Sequence, residues 1–162
     1  MTRPLRAKPF VIGVVSDTHG ALSDAAFRAL AGSDAIMHAG DVGVGHVLDT
    51  LETIAPVTLV RGSNSCVAEA RSPIVANVKL GGVRVIAAHV ESDLTGAFDP
   101  ALVGARVAIF GHTHLAEVTE ADGVLWVNPG SPSDPRQGTP KSVALVTVDV
   151  TGSVTARIVP IS

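Results

Sequence analysis

Short apolar runs ending in the same kinds of polar residue constrain this chain more than anything else in its sequence. Residues 10–15, 35–39, 57–60, 83–88 and 107–110 are nearly continuous and rich in valine and isoleucine, as strands covered on both faces must be. The composition is 46% hydrophobic but only 3% aromatic. The interior therefore has to be built from small aliphatic side chains, many of them β-branched, which again suits buried strands.

Segments between the first three runs have helical character. Residues 23–31 open on Ser23, a natural N-cap, and in residues 44–54 the side chains Val44, Val47, Leu48 and Leu51 recur at helical spacing. Alternation of strand and helix predicts a parallel sheet. The later chain carries hairpin signals instead: Gly81-Gly82 between 74–80 and 83–88, Asp122-Gly123 between 115–120 and 124–127, and Thr151-Gly152 between 142–148 and 154–159. The expectation is an α/β fold of two layered mixed sheets flanked by helices, in one domain spanning 1–162.

At 162 residues the chain can bury roughly two thirds of its unfolded surface without disulfides. Its one cysteine, Cys66, has no partner within the chain and reads as a small, partly buried side chain in a reducing compartment. Arg3, Arg6 and Lys8 precede the first apolar run, but that run is too short for a signal peptide and leads straight into Ser16-Asp17. No segment approaches the roughly 20 apolar residues that span a bilayer. A formal net charge of -3 provides no broad basic field for nucleic acid or membrane. A soluble, cytoplasmic protein is expected. Residues 129–140, rich in proline, form the longest candidate loop.

The chemistry lies where the runs stop. They end at Asp17-Thr18-His19, Gly40-Asp41, Arg61-Gly62-Ser63-Asn64, His89 and Gly111-His112-Thr113-His114. Strands lying side by side bring their carboxyl ends to one rim, where α/β proteins place their sites. In extended chain, residues i and i+2 face the same side, which pairs Asp17 with His19 and His112 with His114. Gly40 and Gly111 are expected to leave room for backbone close to bound ions. Any one of these residues alone would read as a helix cap or a structural histidine. Seven of them at the ends of five runs read as a metal centre.

This set resembles the calcineurin-like metallophosphoesterases, in particular their small bacterial and archaeal phosphodiesterase branch, and Asn128-Pro129-Gly130-Ser131 followed by Pro135-Arg136 is similar to a loop of that branch. The resemblance implies a four-layered α/β sandwich with two divalent metal ions. Asp17, His19 and His114 would hold one, Asn64, His89 and His112 the other, and Asp41 would bridge both. It further implies attack on phosphorus by a shared hydroxide, with no catalytic side chain beyond the ligands. Ser63 stands between Gly62 and Asn64 where the family has Asn directly after Gly, so Ser63 is the alternative ligand; His89 is followed by Val90 rather than Gly. Ser65 takes the place of the histidine found after the Asn in larger phosphatases, so no general acid is evident there.

Two divalent ions bring four positive charges, Asp17 and Asp41 return two, and a hydroxide one more. About one net positive charge remains to meet a phosphodiester monoanion. The nitrogen and oxygen donors suit manganese, expected first from the family, or iron, cobalt, nickel or zinc. The expected activity is hydrolysis of a small phosphodiester or nucleotide-like substrate, without membrane or nucleic-acid partners; a homo-oligomer stays open. Two other readings remain: a non-catalytic binding scaffold like the retromer subunit of the same fold, and a nuclease. His38 reads as a core or supporting residue, His46 as a surface residue or proton donor, and Arg61 and Arg136 as phosphate contacts or plain surface charges.

Overall fold

The computed structural model describes residues 7–63, 66–97, 99–136 and 138–162. Strands β1 (Phe10–Val15), β2 (Ala35–His38) and β3 (Val57–Leu59) alternate with helices α1 (Asp24–Leu30) and α2 (His46–Glu52). A short helix, α3 (Val67–Ala70), precedes β4 (Val75–Leu80) and β5 (Val83–Ala88); α4 (Glu91–Ala97) then leads to β6 (Ala105–Ile109). Strands β7 (Glu117–Ala121), β8 (Val124–Asn128), β9 (Lys141–Val148) and β10 (Val154–Ile161) complete the chain.

Two five-stranded mixed sheets result, ordered β10-β9-β1-β2-β3 and β4-β5-β6-β8-β7. The β1, β2 and β3 strands run parallel, as do β5, β6 and β8, while β9, β10, β4 and β7 join as antiparallel partners. Alternation along each strand divides the side chains between two faces. Ile12, Val14 and Met37 of the first sheet meet Val85, Val107 and Ile109 of the second in the central layer. On the outer face of the first sheet, Val15 and Ile36 pack with Leu30 of α1 and Val47 and Leu51 of α2. Outside the second sheet, Ile86 and Ala108 pack with Leu94 of α4. The order helix, sheet, sheet, helix is the expected sandwich.

Ser23 caps α1 as expected, its hydroxyl accepting from Ala26 N at 3.1 Å. Both two-residue hairpins form: Gly81 and Gly82 have φ of 61° and 84°, and Asp122 and Gly123 of 52° and 79°, the positive pair that a type I′ turn needs. The third hairpin is longer than Thr151-Gly152. Strand pairing stops at Val148, and the Asp149 carboxylate closes the connection by accepting from Thr151 N, Thr151 Oγ1 and Ser153 N. Helix α2 starts two residues later than its periodicity suggests, because Gly43 has φ of 93° and leaves Val44, 45% exposed, off the apolar stripe.

Candidate metal centre

The carboxyl ends of β1, β2, β3, β5 and β6 meet at one edge of the sandwich, and their loops are laced by backbone bonds. Asp17 N donates to Gly40 O (2.9 Å), His19 N to Asp41 O (3.0 Å), Gly20 N to Val42 O (2.7 Å), and Gly111 N to His89 O (2.9 Å). Asp17, His19, Asp41, His112 and His114 all have positive φ, between 48° and 71°. Left-handed backbone is uncommon for residues other than glycine and costs of order 1–3 kcal/mol each, so its concentration here marks a built site. The expected pairing by extended i and i+2 geometry is thus corrected: tight turns, not strand pleats, aim these side chains. His112 and His114 in fact diverge, the first ring 5.2 Å from that of His89 and the second 5.2 Å from that of His19.

Six of the seven expected residues converge. Asp17 Oδ1 lies 3.2 Å from His114 Nε2, 3.8 Å from His89 Nε2 and 3.9 Å from His19 Nε2. Asp41 Oδ2 lies 3.3 Å from His89 Nε2 and 3.9 Å from His19 Nε2. His112 flanks His89, and its N–H donates to Asp17 Oδ2 at 3.0 Å. The seventh, Asn64, lies outside the described residues. Ser63, the alternative to it, bonds Asp41: its N donates to Oδ1 at 2.6 Å and its Oγ approaches both oxygens at 3.2 and 3.3 Å.

The tautomers follow from the hydrogen bonds. His89 Nδ1 donates to Ala39 O at 2.7 Å and His114 Nδ1 donates to Asp134 O. In its neutral form each ring turns a bare Nε2 lone pair toward carboxylate oxygens. Among the described residues, Asp17 Oδ1 and His89 Nε2 are buried and have no hydrogen-bond partner. Buried acceptors facing one another repel unless a proton or a cation lies between them. Burial works to lower the His89 pKa, but the Asp41 carboxylate, the Ala39 carbonyl and the negative charge of Asp17 together hold it above its ordinary value. These donors fit divalent cations: neutral imidazole nitrogens and carboxylate oxygens, held from behind by carbonyls, all facing one space.

Gly40 and Gly111 leave room within the site. A Cβ on Gly111 would fall 2.0 Å from Ser16 Oγ and 2.7 Å from Asp17 Oδ2, and one on Gly40 2.8 Å from His89 Nδ1. Both positions therefore admit neighbouring groups of the site that any side chain would displace.

Comparison with known proteins places the chain in a family and supports its fold. Residues 10–151 match the calcineurin-like phosphoesterase superfamily domain. The chain belongs to that superfamily. A probable metallophosphoesterase of Methanothermobacter thermautotrophicus is 34% identical over 149 residues, covering 86% of each chain. Among solved structures, vacuolar protein sorting 29 of Cryptosporidium parvum superposes with a TM-score of 0.74 at 17% identity, covering 94% of this chain and 97% of that one. A protein described as a novel archaeal phosphodiesterase gives 0.72 at 22% identity, covering 93% and 100%. At such identities the structural likenesses establish the fold alone.

Around the candidate site, supporting residues sort themselves out. Asn128 Nδ2 donates to Gly111 O (3.1 Å) and Thr113 Oγ1 (2.9 Å), Ser131 Oγ to Asp17 O (2.8 Å), and Ser133 Oγ to Thr18 O (2.8 Å). The 128–133 segment therefore braces both ligand turns. Arg136 Nε donates to Thr113 O at 2.8 Å, and His46 is exposed at the start of α2. Cys66 is half-buried against the α2 side of the core. Glu69, which no sequence signal singled out, is fully buried beside the Asp41 loop. A cavity of about 370 Å³ opens next to His89 and His112, walled by Arg61, Ser63, Ile74, Val90 and Asp93.

His38 is fully buried and supports the turns without joining the donor set. Thr18 Oγ1 gives its proton to Val42 O (2.8 Å), so its 3.1 Å contact with His38 Nε2 requires a proton on that nitrogen; His38 Nδ1 accepts from Gly40 N at 3.1 Å. A second ring proton would face the Gly40 N–H. Burial, and after it the charge of His89, lower the His38 pKa from 6.5 to about 3. Between those values the unfolded chain binds the proton and the folded chain does not, so stability rises with pH across that window and is lost on acidification. The Tm of the metal-free wild type should therefore fall more between pH 7 and pH 5 than that of His38→Gln. Coincident slopes would contradict this account.

Proposed function

We propose that this protein is a phosphodiesterase that binds a pair of divalent cations, manganese foremost, and hydrolyses a small phosphodiester or nucleotide-like substrate. The observation that carries the reading is the facing set of buried atoms without a hydrogen-bond partner among the described residues, Asp17 Oδ1 and His89 Nε2, with Asp41 Oδ2 standing between the His19 and His89 rings. Asp17, His19 and His114 would hold one cation, and Asn64 (or Ser63), His89 and His112 the other, with Asp41 shared. Cations bound there supply Lewis-acid chemistry and lower the pKa of water.

The chain's own residues do the rest. Asp17 and Asp41 bring two negative charges and the histidines bind as neutral rings, which leaves the site cationic enough to attract a phosphodiester monoanion. Ala39 and Asp134 carbonyls hold His89 and His114 in the tautomer that presents Nε2. The cavity beside His89 and His112 is of a size for a small organic group. Arg61 is placed there to pair with a phosphate oxygen, and Ile74 and Val90 offer an apolar wall to the ester substituent.

Among the described residues of the cavity wall, the histidines are His89 and His112, both assigned to metal binding. No dedicated acid is then at hand to protonate a departing alkoxide. Rates across a series of aryl phosphodiesters, measured on metal-stripped protein with Mn2+ restored, should fall steeply as the leaving group becomes more basic. A flat dependence with chemistry rate-limiting would contradict the absence of an acid, and activity that survives stripping would end the metal-dependent reading.

A further inference from the structure

We infer that Glu69 is a positioning residue of the metal site, an anionic clamp that fixes Asp41 relative to Gly62 and Ser63; this rests on the cation-binding reading above. Glu69 lies on α3, and its carboxylate is fully buried. Oε2 accepts from Gly62 N at 2.6 Å and from Asp41 N at 3.1 Å, and Oε1 accepts from Val42 N at 2.7 Å. Among the described residues no lysine, arginine or histidine forms an ion pair with it. Backbone N–H groups from two separate loops thus take the place of a cation in holding this buried carboxylate.

The clamp acts on the residue shared between the two halves of the donor set. Asp41 has φ of 59°. Its N–H is held by Glu69, its carbonyl by His19 N and its Oδ1 by Ser63 N. Those bonds leave Oδ2 aimed between His19 and His89. Gly62 completes the arrangement, since a Cβ there would lie 2.2 Å from Asp41 Oδ1 and 2.9 Å from Glu69 Oε2. The chemistry requires a carboxylate of this length. Glutamine would turn an NH2 donor against at least one backbone N–H, and aspartate would withdraw both oxygens by one methylene.

The test is Mn2+ titration by calorimetry and EPR on the metal-stripped full chain, comparing wild type, Glu69→Gln and Val107→Ala. Val107 is a buried core residue between the sheets, so its truncation lowers the Tm without touching the site. Wild type should bind two Mn2+ with the spectrum of an exchange-coupled pair. Glu69→Gln should lose about tenfold or more in Mn2+ affinity and show the spectrum of isolated ions, while Val107→Ala keeps the wild-type isotherm and spectrum. An unchanged isotherm and spectrum in Glu69→Gln overturns the inference. Should Glu69→Gln not fold, Glu69→Asp is measured in the same way, and failure of both to fold in the presence of Mn2+ assigns Glu69 to folding alone and also overturns it. A wild-type chain that takes up no Mn2+ overturns the metal-site reading, and this inference with it.

Discussion

Asp17→Asn is expected to abolish metal uptake and lower kcat/KM for phosphodiesters by about a thousandfold or more, while leaving the metal-free fold intact. Asp17 Oδ2 accepts from Ser16 Oγ (2.6 Å) and His112 N (3.0 Å). Both are donors, so the asparagine oxygen must take this place and its NH2 must occupy the position of Oδ1. That NH2 then faces the bare Nε2 atoms of His114 and His89, 3.2 and 3.8 Å from the present oxygen. With the His89 ring neutral, at a pH above its raised pKa, a hydrogen bond replaces a repulsion, and a cation is excluded from the space. Metal-free Asp17→Asn should therefore melt no lower than metal-free wild type. Added Mn2+ should raise the Tm of wild type only, by the linkage between ligand binding and folding. Equal Mn2+ stabilisation of both would show that Asp17 is not a ligand.

The largest expected loss of stability belongs to Gly43→Ala. A Cβ at residue 43 would stand 2.2 Å from Gly20 N and 2.5 Å from the His19 carbonyl carbon, both backbone atoms that no rotamer change can move, and the residue has φ of 93°. Overpacking and left-handed strain together should cost about 3 kcal/mol or more. For a chain of this length that is a fall in Tm of roughly 6–12 °C. Since relief of the clash displaces His19, Mn2+ affinity should fall as well. Gly45→Ala, where an added Cβ meets nothing within 4 Å, is the matched control and should leave both quantities near wild type. A Gly43→Ala protein with wild-type Tm would refute the close approach of these two loops.

The parallel strands were legible because each is a short run of β-branched residues closed by turn chemistry, and Phe10–Val15 and Val83–Ala88 form where the runs lie. Two-residue hairpins were legible for the same reason, since glycine and Asp-Gly name the backbone they need. Helices α3 and α4 were not. The first has four residues, and the second has Leu94 as the one large apolar side chain among its described residues, packed into the core, so neither shows a periodic stripe. In the site, residue types and their place after strands gave the convergence of Asp17, His19, Asp41, His89, His112 and His114. The means of convergence stayed hidden, because left-handed φ at aspartate and histidine has no signature in composition. Glu69 was unreadable for a related reason: one acidic residue in a four-residue helix looks like a solvated charge. Only tertiary structure shows that two loops aim their N–H groups at it.

On the proposed reading, these donors grip two cations side by side. Anomalous diffraction at the manganese edge from crystals grown with Mn2+ tests it most directly. Two peaks about 3.5–4 Å apart are expected, one beside His19 and His114, the other beside His89 and His112, with Asp41 between them. A single peak, or none within reach of Asp17 and Asp41, would contradict the account.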